Sequence, residues 1–218
     1  MFNPNIKKVM KRKNLQTPPF SYGTFIPEHC IYCPDKKVMM LDEVVKTYIL
    51  GDALRETTLR AKKLQNRIVP KGKKDSMRNE RNELLSTLPW YVPAVDIQED
   101  VDPDELTQHC GLATYQMKPM EKWDFSAILD RISKMPYVKL LFSNCVNELI
   151  VLVFLGTDVS IKGWKRRYLD VAHYLYSQFP DVKFIPDPKI TRAITLSYDP
   201  RAVYRRDSEL KSVMEFMD

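Results

Sequence analysis

The sequence predicts an α+β domain: a mixed, largely antiparallel sheet packed with helices. Three observations carry this expectation. Short apolar runs, some alternating and some continuous, read as strands in FSYGTF, YVKLLFS, ELIVLVFLG, VKFI and AITLSY. Several of them follow one another through connections too short for a parallel crossover, which needs a dozen or more residues. The helical segments do not alternate regularly with the strands, which argues against a doubly wound parallel fold. With 218 residues, 44% of them hydrophobic and 11% aromatic, the chain has ample material for one core.

In chain order, residues 1–18 are basic, close on TPP and read as a flexible arm. FSYGTF alternates as a strand does. Asp42 is placed to cap a helix over EVVKTYIL, with Gly51 at its end. ALRETTLRAKKLQNRI spaces Leu54, Leu59, Leu64 and Ile68 along one stripe and predicts a second helix; KKDSMRNERNELLSTL predicts a third. WYVPAV reads as a short strand in which Pro93 argues for an edge or irregular position. An acidic loop, VDIQEDVDPDELTQH, leads into a buried strand over residues 111–117. Asp124 is placed to cap a helix carrying Phe125, Ile128 and Ile132 on one face. The strands YVKLLFS and ELIVLVFLG flank the polar connection NCVN. GWKRRYLDVAHYLYSQF is the clearest helix, with Trp164, Leu169, Ala172 and Leu175 or Tyr176 expected along one side. VKFI and AITLSY follow, and residues 205–218 read as a short amphipathic C-terminal helix. The expected organisation is thus an arm, a main domain over residues 19–204 that includes a basic helical segment at about 41–88, and the terminal helix.

No run approaches the roughly 18 apolar residues of a membrane span. The first residues carry charge without an apolar stretch behind it, so no secretory signal is expected and a cytoplasmic location is. The four cysteines are then expected as free thiols.

The net charge of +6 is unevenly spread. Residues 1–13 hold five bases and no acid, and residues 53–88 hold ten bases against four acids, which leaves the rest net acidic. Such asymmetry fits a face turned to a polyanion, and equally a solvated helical face. The candidates are Arg60, Lys62 and Lys63 in the second helix, and Lys165, Arg166 and Arg167, which stand among aromatics as single-stranded nucleic acid prefers.

Other chemistry is sparse. Cys30 and Cys33 form a Cys-x-x-Cys that could join a zinc site only with scattered partners such as His109, Cys110 or Cys145. No metal is expected, with zinc at Cys30 and Cys33 as the remaining alternative. His109 and Cys110 are adjacent, so in a strand they point to opposite faces and do not form a nucleophile–base pair. His173 reads as a packed or surface residue. Asp102 and Asp104 sit in a loop without apolar framing, and six glycines leave little material for a phosphate loop.

The order of LDEVVKTYI, NELLSTLPWYVPAV, LTQHCGLATYQM, MPYVKLLFSNCVNELIVLVFL, WKRRYLDVAHYLYSQF and DPKITRAITLSYDP resembles the VirE N-terminal domain family of Bacteroidetes mobile elements over roughly residues 20–204. That family is similar to the archaeo-eukaryotic primase, or primase–polymerase, superfamily. The blocks QHCGL and SYDP are its most specific pieces. The resemblance implies a primase-like fold with a divalent-metal site for nucleotidyl transfer. Its Asp-x-Asp pair falls here on Gln116 and Lys118. Ser143 matches the second family motif, whose Lys or His falls on Ile150. The family's third acid falls near Lys189, with Asp187 two residues off, while Arg192 and Ser197-Tyr198-Asp199-Pro200 match. Neither an amide nor an ammonium replaces a metal-binding carboxylate, and no Asp or Glu lies between Gly111 and Met120 to rescue the register.

The resulting expectation is a catalytically degenerate, non-enzymatic member without cofactor, binding nucleic acid (DNA in particular) in a mobile-element or phage-like replication system. Lys118 and Arg192 join the basic helical residues as expected phosphate contacts, and a helicase or other replication protein is the expected partner. Two alternatives stand beside it: an active DNA primase with unconventional metal ligands, and a docking scaffold that binds no nucleic acid.

Overall fold

The computed structural model describes residues 20–24, 37–65, 74–95, 109–120, 125–180 and 182–217. The predicted arm, Cys30 and Cys33, the acidic loop with Asp102 and Asp104, and Asp124 lie outside them. The strands are β1 (Phe20–Thr24), β2 (Lys37–Met39), β3 (Pro89–Val92), β4 (Leu112–Pro119), β5 (Val138–Ser143), β6 (Leu149–Phe154), β7 (Val182–Ile185), β8 (Ile194–Thr195) and β9 (Val203–Tyr204). The helices are α1 (Leu41–Val44), which continues as a π-helical turn over Val45–Ile49, then α2 (Arg55–Gln65), α3 (Lys74–Thr87), α4 (Phe125–Ser133) and α5 (Trp164–Gln178).

The strands form two sheets, β7-β4-β6-β5-β9 and β2-β1-β3-β8. Every pairing among the described residues is antiparallel. The α+β class is therefore as the sequence predicts.

Alternation of side chains along β4 and β6 assigns the two faces of the larger sheet. Ala113, Tyr115, Met117, Leu149, Val151 and Val153 pack with Ile128 and Ile132 of α4 and with Tyr168, Val171 and Leu175 of α5. Leu112, Ile150 and Leu152, with Leu140 and Phe142, pack with Leu41, Val44, Val45 and Ile49, with Tyr91 of β3, and with Ile194. A smaller cluster seats α2 on the β5–β6 turn through Ala61, Leu88 and Cys145.

Several expectations are corrected. Asp42 lies inside the first helical turn, where it pairs with Lys46 at 3.2 Å, and Met40 occupies the cap position without a side-chain bond. β3 is an inner strand between β1 and β8 and stops at Val92, so Pro93 stands in the irregular position, one of its two expected settings, and not at an edge. α2 turns Thr58 and Ala61 inward and leaves Leu59 51% exposed. Its contact face is lined by small residues because the β5–β6 turn approaches closely there. α5 buries Trp164, Tyr168, Val171, Ala172 and Leu175, while Leu169 and Tyr176 face solvent.

The C-terminal segment holds two single 3₁₀ turns, Asp207–Glu209 and Val213–Phe216, in place of a helix. It is strapped down by polar bonds. The Arg205 guanidinium donates to the carbonyls of Ser133, Met135 and Val138. Buried Lys139 donates to the Arg205 carbonyl at 2.8 Å and to Asp207.

Candidate functional site

The two most specific sequence blocks turn out to build scaffold. In QHCGL, the Gly111 N–H donates to His109 Nδ1 at 2.9 Å, which fixes the tautomer with hydrogen on Nε2, bonded to the Val159 carbonyl. The His109 ring meets Trp164 edge-on at 5.1 Å. Gly111 has φ +75°, and a Cβ there would stand 2.3 Å from the Gly156 carbonyl oxygen, so only glycine lets the chain turn into β4 at this point. Cys110 donates its thiol hydrogen to the Pro93 carbonyl, and burial pushes the thiol up to about 12. It is no nucleophile in this setting.

SYDP is a hub. The Asp199 carboxylate, 2% exposed, accepts from Ser143 N at 2.7 Å and from Arg201 N at 3.1 Å. Ser197 Oγ accepts from Cys145 N, Tyr198 N donates to Thr58 Oγ1, and Asp199 N donates to the Ile49 carbonyl. Three of its residues thereby tie together β5, the β5–β6 turn, α2 and the π-helical end of α1.

At the far end of β4, the side chains of Thr114, Gln116 and Lys118 emerge on one face by alternation, passing from buried through half-buried to exposed. Gln116 stands opposite Ile150 on β6 and Ile185 on β7. Its Nε2 donates to Glu148 Oε2 at 2.5 Å, and its Oε1 accepts from Arg192 Nη2. The amide thus bridges a carboxylate and a guanidinium, each end meeting the charge it complements.

Both partners are engaged further. Glu148 Oε2 also accepts from Asn144 Nδ2 at 3.2 Å, and Asn144 Oδ1 accepts from the backbone of Val146 and Glu148. Asn147, with φ 62°, closes this turn. The Arg192 side chain is 9% exposed; Nη1 donates to the Ile185 carbonyl at 3.2 Å, and Nε lies 4.0 Å from Asp187. Asp187 N in turn donates to the Tyr168 hydroxyl, which donates to the Thr114 carbonyl. Burial raises the Tyr168 hydroxyl well clear of physiological ionisation, so it stays a neutral donor.

The remaining positions of the expected metal site are not gathered as ligands. Ser143 is buried, with its N–H on Asp199 and its hydroxyl 3.4 Å from the Asn144 carbonyl. Ile150 is an apolar member of the core under Leu41 and Val44. Lys189 is exposed, with its backbone N–H 3.4 Å from Asp187. Among the described residues, no group of three or more His, Cys, Asp or Glu is placed to hold a metal ion. His109 and Cys110 precede β4, whereas Cys145 sits in the β5–β6 turn at the opposite end of the sheet.

The expected nucleic-acid residues are dispersed. Arg60 on α2 is bonded to Glu80 of α3 at 2.9 Å. Lys62 is half-buried between Asp199 and Cys145; burial lowers its basicity and the Asp199 charge opposes that effect. Lys63, Lys118, Lys165 and Arg166 are exposed and enter no ion pair among the described residues. Lys165, Arg166 and half-buried Arg167 open α5, beside His109 and so at the end of the sheet opposite Lys118.

Sequence reading missed Lys183. It lies on β7 directly opposite Lys118, exposed and on the same face. The alternation of VKFI turns Lys183 away from Val182 and Phe184, but nothing in the sequence pairs β7 with β4. No helix among the described residues is long and apolar enough to cross a membrane. Compared with protein-family models, curated proteins and solved structures, the chain matches none.

Proposed function

We propose that this is a non-catalytic nucleic-acid-binding domain of a mobile-element or phage-like replication system, built on a degenerate primase-like scaffold. The observation that carries the reading is the Gln116 bridge between Arg192 and Glu148. Divalent cations require anionic oxygen ligands, several of them in one place. Here the nearest carboxylate spends Oε2 on two amide N–H groups, and two cations, Arg192 and Lys118, flank the position. Arg192 and Lys118 disfavour a metal ion there, and the exposed Lys118 is available to a phosphate. Lys63, Lys118, Lys165 and Arg166, exposed and without an ion pair among the described residues, offer phosphate contacts on more than one face.

Two measurements test this. Anisotropy titrations with DNA between about 50 and about 200 mM salt should show affinity falling linearly in the logarithm, because each neutralised phosphate releases counterions. A flat response overturns the reading. Primer synthesis on a template with magnesium or manganese should yield no product; template-dependent product would establish an enzyme instead.

A further inference from the structure

We infer that Lys118 and Lys183 form a phosphate clamp at the β4–β7 edge, taking the phosphodiester backbone of nucleic acid; the inference rests on the functional reading above. The two lysines face each other in register across an antiparallel pair, on the same side of the sheet. Their Cβ atoms are therefore about 5 Å apart, the distance at which directly opposed like charges disfavour a sheet. Both are exposed, and neither enters an ion pair among the described residues. Opposing the two charges adds nothing to the fold's stability, whereas an anion seated between the two ammonium groups relieves their repulsion.

The surroundings hold the clamp in place. Among the described residues β7 is the outermost strand of its sheet, and both lysines are exposed. Two residues inward, Arg192 donates to the Ile185 carbonyl and to Gln116, the two residues paired across β4 and β7. That bond pair fixes the register that keeps the lysines opposite each other, so binding has only the two side chains to order. The Arg192 charge is offset by Asp187, so the net positive charge at this edge is carried by the two lysines. Two ammonium groups one inter-strand step apart follow a single backbone, which a single strand supplies as well as a duplex.

The test uses the whole chain and a fluorescent single-stranded oligonucleotide, with a duplex of the same sequence as the second arm. The slope of log affinity against log salt is measured for wild type, for Lys118→Gln with Lys183→Gln, and for Lys134→Gln with Lys211→Gln as an equal change of charge elsewhere. Losing two phosphate contacts should flatten the slope by about 1.4 on the single strand and about 1.8 on the duplex. The control pair should leave the slope near wild type. Thermal stability of the clamp variant should equal or exceed wild type, because an opposed like-charge pair has been removed. An unchanged slope in the clamp variant, with wild type still binding, overturns the clamp and spares the nucleic-acid reading. Equal flattening in the control overturns it too, as does lost thermal stability, which would make the lysines structural. Absence of binding by wild type overturns both.

Discussion

Replacing Asp199 by alanine removes the acceptor at the centre of the SYDP hub. The carboxylate is 2% exposed and takes two backbone donors, Ser143 N at 2.7 Å and Arg201 N at 3.1 Å. Hydrogen bonds to a charged group contribute roughly 1.5–3 kcal/mol each, and a buried donor left unpaired costs a further share of that. Ser143 is buried in β5, so its N–H is orphaned in full; Arg201 is exposed, so water replaces much of its bond. The expected loss is about 3–4 kcal/mol, a large part of the roughly 5–15 kcal/mol that holds a domain together. At about 2–4 °C per kcal/mol for a chain of this size, the melting temperature falls by roughly 6–16 °C. Asp199→Asn keeps one acceptor oxygen and should lose about half as much. Urea unfolding followed by tryptophan fluorescence measures this, with the slope m unchanged if only the native bonds are affected. Lys62→Met in the Asp199→Ala background should recover part of the loss, because the half-buried ammonium then has no counter-charge to miss. A loss under about 1 kcal/mol for Asp199→Ala, or strict additivity with Lys62→Met, refutes the argument.

Three further outcomes are expected. Gly111→Ala, which sets a Cβ 2.3 Å from the Gly156 carbonyl oxygen at φ +75°, should cost about 3 kcal/mol or abolish soluble expression; a variant as stable as wild type would mean the turn into β4 is drawn wrongly. Leu59→Gln should change stability by under about 0.5 kcal/mol, whereas Ala61→Leu should cost about 1–3 kcal/mol by overpacking the seat of α2, and the reverse ranking would turn that helix over. Stability should hold to near pH 9 and fall above it. Burial raises Cys110 to about 12 from 9.0, and raises Cys145, Tyr91, Tyr115 and Tyr168 as well. The unfolded chain releases these protons at ordinary values while the folded one retains them, so stability present below the unfolded values is lost as pH rises through them. Lys62, lowered by burial, acts in the opposite sense but is a single group. Urea midpoints that stay level from pH 8 to pH 10.5 contradict this.

The parts of the fold legible in the sequence are those whose signal is local. β5 and β6 are largely apolar runs on either side of a five-residue turn, and the hairpin they form follows from that length alone. α5 declares itself by length and spacing, but its inward face does not, because Tyr168 and Val171 and not Leu169 and Tyr176 meet the sheet. α2 was readable as a helix and unreadable in orientation, since it packs through Thr58 and Ala61 and leaves a leucine outside. The C-terminal strap is held by Lys139 and Arg205 on backbone carbonyls, a kind of bond that leaves no apolar period. At the candidate site, Gln116 and Lys118 could be found from the strand itself. The partners of Gln116 could not be paired with it, lying 32 and 76 residues away. Lys183 required knowing that β7 crosses back to pair with β4, a non-local choice made by packing.

The outer strands of the larger sheet are four and two residues long. β7 is also bounded by Pro180 and Pro186, which have no N–H to offer a neighbouring chain. Together with Lys183, these features guard an edge that would otherwise recruit strands from other copies. Beyond the ligand capture proposed for it, the lysine therefore serves colloidal behaviour. When a polyanion neutralises it, one of three guards is lost, and brevity and proline alone keep bound copies from pairing edge to edge.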